Sequence, residues 1–267
     1  MQMTTSKDGT AIAYDQQGAG AAVVVVGGGP TTRLVNAHLA GLLAEHFTVV
    51  NYDRRGRGDS GDTAPYAIER EFEDLTAVIE VVGGQACVLG SSGGAVLALQ
   101  AAAAGVPVTR LALWEPSFIV AGTRPQPPAD YREQLEGLIE QGRPGDALAL
   151  FFTGAVGLPA GMVDQMRLAP FWTAMEQVAP TLVYDATIAG DFSVPADQLA
   201  GVTVPTVVLD GGTTPWLSAA ADAVAGALPR AERVTLDGQQ HAVDPTVLAP
   251  AVVTAFQGAT AGGGVRA

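Results

Sequence analysis

The ten residues Cys87-Val88-Leu89-Gly90-Ser91-Ser92-Gly93-Gly94-Ala95-Val96 constrain the fold more than any other stretch of the chain. An apolar run from Ala86 to Leu89 meets Gly-Ser-Ser-Gly-Gly, and an alanine-rich segment that reads as helix follows. Strand, abrupt glycine turn and helix is the setting in which a G-x-S-x-G elbow presents a serine hydroxyl. The pattern reads Gly90-Ser91-Ser92-Gly93-Gly94, with Ser92 at its centre; centring on Ser91 would put Leu89 where a small residue is needed. The chain doubles back here, so any side chain at 90 or 94 is expected to collide with its neighbour. The plain alternative is a glycine–serine turn without chemistry, and a pentapeptide alone does not separate the two.

The chain is long enough, at 267 residues, for one large α/β domain with an inserted subdomain. Hydrophobic residues make up 48% and charged residues 15%, which allows a sizeable core. A net charge of −13 argues against nucleic acid and against anionic membrane surfaces as partners, since both attract basic patches. The single cysteine, Cys87, rules out a disulfide framework, and no Cys/His metal-ligand spacing occurs. The first residues carry no apolar signal core, and no apolar run reaches the ~18 residues of a membrane span. A soluble cytoplasmic protein is the expectation. The glycine- and alanine-rich tail, 259–267, is expected to be disordered.

In chain order, Thr10 to Asp15 reads as a strand, and Ala22 to Val26 is a β-branched run of the kind buried on both faces of a sheet. Gly27-Gly28-Gly29-Pro30 follows. Leu34, Val35, Leu39, Leu42 and Leu43 fall at helical spacing within 32–46. Phe47 to Tyr52 is the next strand, and Asp53-Arg54-Arg55-Gly56-Arg57-Gly58-Asp59-Ser60 a polar loop. A helix is expected over Ile68 to Val82, then the Ser92 strand and its helix, then a strand from Val108 to Trp114. This alternation implies a mostly parallel sheet with helices on both faces. It breaks after Glu115-Pro116, and 121–196 reads as short helices without a strong strand. It resumes with a strand from Thr203 to Leu209, a helix over 216–228, a strand from Glu232 to Leu236 and a helix over 246–257. The expected organisation is a core of 1–120 and 197–258, with 121–196 as a helical cap.

A serine hydroxyl needs a base to act as a nucleophile. Three histidines are available. His38 lies in the first helix and His46 at a helix–strand junction, both better suited to surface or structural roles. His241 follows the last strand, in a loop at the carboxyl edge where Ser92 also sits, so it is the candidate base. Its alternative is an ordinary surface histidine. Donors for a developing oxyanion are expected from the backbone N–H of Gly93 and of the 27–30 loop, with Gly29 favoured. No Gly-Lys-Ser/Thr follows that loop, so it is not a phosphate loop. Gly56 to Gly61 formally matches G-x-G-x-x-G, but the polar run before it and Pro65 after it argue against a dinucleotide site.

These residues resemble the α/β-hydrolase fold superfamily, in its capped esterase-like and epoxide-hydrolase-like branch, over nearly the whole chain. Gly27-Gly28-Gly29-Pro30 is similar to the H-G-x-P oxyanion loop, with glycine in place of histidine, and Asp53 to Ser60 to the D-x-R-G-x-G-x-S loop. The order elbow, cap, histidine also agrees. With serine rather than aspartate at the elbow, the resemblance implies cleavage of an ester, thioester or lactone, and no cofactor. One position departs: Gly211-Gly212-Thr213-Thr214-Pro215 carries Thr214 where many members place the aspartate of the triad. Five carboxylates compete for that role: Asp191, Asp210, Asp237, Asp244 and Glu115. Glu115 is preferred, because it ends the strand beside the nucleophile strand and because some haloalkane dehalogenases resemble this arrangement. Its alternative is a backbone ligand at the cap junction.

The expected function is therefore a serine hydrolase acting on a small apolar or polycyclic molecule through an acyl-enzyme on Ser92. Phe152, Trp172 and Met175 are candidate pocket residues, with the cap's own core as their alternative. A non-hydrolytic biosynthetic catalyst performing cyclisation, elimination or acyl transfer stays open, as does a ligand-binding module with a degraded triad, which Thr214 keeps alive. The oligomeric state is open as well, a homodimer included.

Overall fold

Runs of alternating inward residues build the sheet. In β3 (Ala22–Val26), Val24 and Val26 point into one apolar cluster and Val23 and Val25 into another. A strand buried on both faces in this way belongs to the middle of a two-sided layer. The computed structural model describes residues 1–258. The tail 259–267 lies outside the described residues.

The other strands are β1 (Gln2–Thr5), β2 (Ala11–Gln17), β4 (Thr48–Tyr52), β5 (Ala86–Ser91), β6 (Val108–Trp114), β7 (Thr206–Gly212) and β8 (Ala231–Gln239). They form one sheet in the order β1-β2-β4-β3-β5-β6-β7-β8. β1 and β2 pair antiparallel, as do β2 and β4; every later pairing is parallel. Helices α1 (Ala37–Leu43), α2 (Ile68–Glu80) and α3 (Gly93–Ala103) lie between the first six strands. Between β6 and β7 come α4 (Tyr131–Glu140), α5 (Pro144–Leu150), α6 (Ala160–Met166), α7 (Phe171–Val178), α8 (Leu182–Ala189) and α9 (Ala196–Leu199). Helix α10 (Pro215–Ala227) follows β7, and α11 (Pro245–Gln257) follows β8.

Leu39 and Leu43 of α1 and Leu248, Val252 and Phe256 of α11 cover one face. Residues of α2, α3 and α10, among them Leu75, Leu97 and Val224, cover the other. The helices between β6 and β7 form a third apolar cluster of their own, centred on Tyr131, Leu135, Leu148, Trp172 and Leu182. No helix among the described residues is long and apolar enough to cross a membrane.

Some local expectations change. β1 was not anticipated, being four residues of mostly exposed edge strand. The segment 32–46 is not one helix but a 3₁₀ turn, Arg33–Asn36, followed by α1. Leu34 and Val35 are 68% and 67% exposed, because polar contacts hold the turn outward: Asp53 accepts the Arg33 N–H at 2.6 Å and Asn51 donates to the Arg33 carbonyl at 2.7 Å. β7 begins at Thr206 rather than Thr203, after Pro205, which has no N–H to donate to a ladder.

Candidate active site

β5 ends at Ser91 and α3 starts at Gly93, leaving Ser92 alone in the turn, with φ 56° and ψ −123°. A non-glycine residue at positive φ is strained, and such strain collects at functional sites. The glycines around it have no room for a side chain. A Cβ at Gly90 would lie 2.6 Å from the Ala95 Cα, and one at Gly94 would lie 2.4 Å from the Val26 carbonyl oxygen. The turn is therefore as tight as the elbow spacing requires.

The neighbouring strand sets the next residue. Ser92 N–H donates to the Trp114 carbonyl at 2.9 Å, and Glu115 N–H to the Leu209 carbonyl at 2.8 Å, so Glu115 leaves the sheet between β5 and β7. Its φ is +42°, and its side chain is fully buried. Glu115 Oε1 accepts the Gly211 N–H at 3.1 Å, and Oε2 lies 2.6 Å from His241 Nδ1. Trp114 Nε1–H donates to the His241 carbonyl at 3.0 Å, which fixes the histidine loop from the same strand. A carboxylate at Nδ1 favours a proton there and leaves Nε2 as the acceptor. Ser92 and His241 line the same two cavities. Among the described residues no hydrogen bond yet joins the Ser92 hydroxyl to the ring; such contacts commonly tighten when substrate binds.

The competing carboxylates are occupied elsewhere. Asp210 is buried, accepts from the Ser218 hydroxyl and the Gly212 N–H, and meets Arg233 at 2.9 Å. Burial pushes its carboxyl up, but the Arg233, Ser218 and Thr235 hydrogen bonds outweigh that and hold it below the usual carboxylate range. Asp244 caps α11 through the Thr246 N–H at 2.8 Å. Asp191 accepts from the Ser193 N–H at 2.9 Å, and Asp237 is exposed. Thr214 stands at the start of α10 and contributes to the cavity wall. His38 and His46 are exposed.

The 27–30 loop closes over the serine. A Cβ placed on Gly28 would lie 3.1 Å from the Ser92 Cβ, and one on Gly93 would lie 4.0 Å from the Gly29 nitrogen. Gly29 and Gly93, which carry the two candidate oxyanion donors, thus line the same cavity as Ser92. Behind them, the loop expected to be merely polar is buried: Asp53, Arg54, Arg55 and Arg57 are all at most 2% exposed. Each arginine has a carboxylate. Arg54 meets Glu71 at 2.5 Å, Arg55 meets Asp74 at 2.7 Å, and Arg57 meets Asp185 of α8 at 2.8 Å. Unpaired, these charges would be very costly to bury. Burial pushes the Asp74 carboxyl up. For Asp185 burial also pushes upward, but Arg57 and Arg54 prevail and hold its carboxyl below the usual range. Neither Asp185 nor its pairing with Arg57 was read from the sequence. The available signal was three arginines in four residues of a chain with only 14 Lys and Arg in all.

A cavity of about 310 Å³ opens above Ser92, walled by Tyr131, Phe151, Ile188, Phe192, Trp216 and Leu217. The pocket expected from Phe152, Trp172 and Met175 is not this one. Those three belong to the apolar cluster of the helices between β6 and β7. Phe151 and Phe152 occupy successive positions of a π-helical turn, so they face different ways. Phe152 packs toward the Trp172 ring, 6.0 Å away. A second cavity of about 280 Å³ shares Gly29, Ser92 and His241 with the first and extends between Val35, Leu39, Leu89, Val243 and Leu248. Among the described residues no cluster of three or more His, Cys, Asp or Glu is placed to hold a metal ion.

Comparison with known proteins gives the family and the fold. A model of the alpha/beta hydrolase family matches residues 23–255. The structure of an alpha/beta hydrolase from Sphaerobacter thermophilus DSM 20745 superposes with a TM-score of 0.92 at 49% identity, covering 96% of this chain and 100% of that one. A thermophilic esterase from Thermogutta terrifontis superposes with a TM-score of 0.70 at 21% identity, covering 97% of each chain, a likeness of fold alone. Among curated proteins, the uncharacterized hydrolase YraK of Bacillus subtilis is 34% identical over 100 residues. That match takes in 36% of this chain and only 37% of the relative.

Proposed function

Because the chain belongs to the alpha/beta hydrolase family, we propose that it is a serine hydrolase that cleaves a small apolar ester, thioester or lactone through an acyl-enzyme on Ser92. The observation that carries this reading is the 2.6 Å contact between Glu115 Oε2 and His241 Nδ1, at the rim of the cavities that the strained Ser92 also lines. Thr214 was the ground for considering a binding module. A carboxylate that reaches the imidazole from β6 supports a working base instead.

In this reading Ser92 Oγ attacks the acyl carbonyl as His241 Nε2 takes its proton. Glu115 stabilises the resulting imidazolium. The carbonyl oxygen becomes an oxyanion facing the Gly93 and Gly29 N–H groups. The tetrahedral intermediate collapses as the imidazolium protonates the leaving oxygen or sulfur. Water then attacks the acyl-enzyme by the same route, returning the serine hydroxyl and releasing the acid. One oxyanion donor is worth about 10²–10³ in turnover. The helices between β6 and β7 act as a cap whose apolar wall receives one half of the substrate, and the second cavity receives the other. At about 310 Å³, the first cavity is at the small end of ligand pockets, which favours a compact group.

A short p-nitrophenyl ester tests the reading. The wild type should hydrolyse it and be labelled at Ser92 by a fluorophosphonate, and Ser92→Ala should do neither. Labelling at Ser91, or undiminished turnover in Ser92→Ala, would refute it.

A further inference from the structure

The peptide between Gly28 and Gly29 has its carbonyl on one side and, as the trans geometry dictates, the Gly29 N–H on the other. That N–H is the proposed oxyanion donor. Its carbonyl is gripped twice: Thr31 Oγ1–H donates to it at 2.6 Å and Arg57 Nη1–H at 2.7 Å. Arg57 is 1% exposed, and its remaining contacts all reach into the cap. Nε–H donates to Thr181 Oγ1 at 3.0 Å, and Nη2–H reaches both carboxylate oxygens of Asp185 at 2.8 Å. Asp185 in turn sits against Gly29 so closely that a Cβ on that glycine would fall 1.9 Å from Oδ2. One guanidinium therefore joins the oxyanion loop to two residues of the proposed cap, one helical turn apart.

From this arrangement we propose that Arg57 is a positioning residue for the oxyanion hole, and that its anchorage on Asp185 and Thr181 makes the hole's geometry depend on the seating of the cap. The proposal rests on the serine-hydrolase reading above. A carbonyl held by a hydroxyl and by a charged donor cannot swing, so its N–H stays aimed at the site of charge development. Polarising that carbonyl also strengthens the N–H as a donor. The charges are arranged so that the anchor does not oppose catalysis. Asp185 alone would repel an oxyanion formed beside Gly29. Arg54 and Arg57, set against Glu71 and Asp185, make the cluster neutral. With the cap unseated, Arg57 loses Asp185 and Thr181 together, and the Gly28 carbonyl keeps only the Thr31 hydroxyl as a fixed donor.

The test compares Thr31→Val, Arg57→Lys and Asp185→Asn with the wild type, using kcat and KM for a short p-nitrophenyl ester and the affinity for phenylboronic acid. The boronic acid forms an anionic tetrahedral adduct on the serine and so reports the hole. Thr31 lies at a half-buried loop position, so its variant folds even where a buried arginine variant does not. Thr31→Val and Arg57→Lys should each lower kcat about tenfold or more, short of the roughly 10²–10³ of an absent donor. KM should hold, and boronic acid affinity should fall in parallel. Asp185→Asn should lower kcat in the wild-type background and add little in Arg57→Lys, since both act through one guanidinium. If the variants lose melting temperature but keep kcat and boronic acid affinity, Arg57 is a structural brace only and the proposal is wrong. Additive losses in the Asp185→Asn/Arg57→Lys pair would break the link to the cap. Turnover surviving in Ser92→Ala would instead overturn the hydrolase reading beneath it.

Discussion

Glu115 meets His241 across 2.6 Å from a strand end that sequence order places far from the histidine, and it does so from a backbone with φ +42°. The relationship follows from strand order. β6 lies between β5, which ends one residue before Ser92, and β7, whose Leu209 carbonyl accepts the Glu115 N–H. A side chain leaving that position emerges between the elbow and the turn after β7. The longer reach of glutamate carries its carboxylate to the imidazole, with the Gly211 N–H holding its other oxygen.

Glu115→Gln should therefore fold and lose turnover by about 10³–10⁴-fold, because an amide neither stabilises the imidazolium nor enforces the productive tautomer. Asp210→Asn, whose wild-type side chain is bound to Ser218 and Arg233, should stay within about tenfold of the wild type by comparison. Thr214→Asp in the Glu115→Gln background should recover part of the loss. Steady-state kinetics on one ester decides it, and a dead Asp210→Asn beside an active Glu115→Gln would move the acid to Asp210.

The elbow predicts a steric failure. In Gly94→Ala the new methyl carbon would come within 2.4 Å of the Val26 carbonyl oxygen and 2.6 Å of the Gly27 carbonyl oxygen, both backbone atoms that cannot rotate away. Overpacking of this kind costs about 1–3 kcal/mol or more, and here it also pushes on the loop that borders Ser92. Thermal unfolding should show the loss, and fluorophosphonate labelling should slow with it. An unshifted melting temperature with normal labelling would contradict the close approach.

The cavity walls separate by experiment from the apolar core of the helices between β6 and β7. Phe151→Ala enlarges the cavity above Ser92 and should shift preference toward bulkier acyl groups with little change for the smallest ester. Trp172→Ala should leave preference alone and destabilise by about 3–5 kcal/mol, as expected for an aromatic that is only 4% exposed within the cap cluster. Selectivity profiles and denaturant midpoints distinguish the two. A Trp172 variant with altered selectivity and intact stability would return that residue to the pocket.

Much of this was legible because the relevant signals are local. The stretch Val108 to Trp114 is strand β6 residue for residue, and Ser92, the centre of Gly90 to Gly94, is the turn between β5 and α3. Glu115 could be named as a candidate because strand adjacency is a consequence of topology. The ion pairs were not legible, because pairing is a property of contact. Asp53-Arg54-Arg55-Gly56-Arg57 reads as a solvated loop until Glu71 and Asp74 arrive from α2, the next helix, and Asp185 from α8, far along the chain. Phe151 and Phe152 are indistinguishable by composition, and only the π-helical turn that contains them sends one to the cavity and the other to Trp172. Leu34 and Val35 kept helical spacing, but Asp53 and Asn51 fix the Arg33 backbone and turn both side chains outward.

The Asp185 anchor also predicts a pH signature. Burial raises its carboxyl, but Arg57 and Arg54 overcome that, so the folded-state value lies below the ~3.9 of an unfolded chain. A depressed carboxyl stabilises the fold fully above its unfolded value and loses that contribution as pH falls through the folded value. The wild-type melting temperature should thus hold from neutrality down to about pH 5 and then drop below about pH 4. Asp8 and Asp210 contribute to the same fall: burial pushes both carboxyls up, but hydrogen bonds from Thr10 and Arg55 hold Asp8 low, and those from Arg233 and Ser218 hold Asp210 low. Asp185→Asn leaves Arg57 without its carboxylate and should cost about 3–5 kcal/mol at pH 7, since breaking a buried pair strands the other charge. Its melting temperature should also fall less steeply in acid, because one fewer proton is taken up on unfolding. Melting curves between pH 3 and pH 7 for both proteins measure the two slopes. Parallel curves, offset by a constant at every pH, would mean that the Asp185 carboxyl binds its proton equally well in the folded and the unfolded chain, and that charge does not hold Arg57 to it.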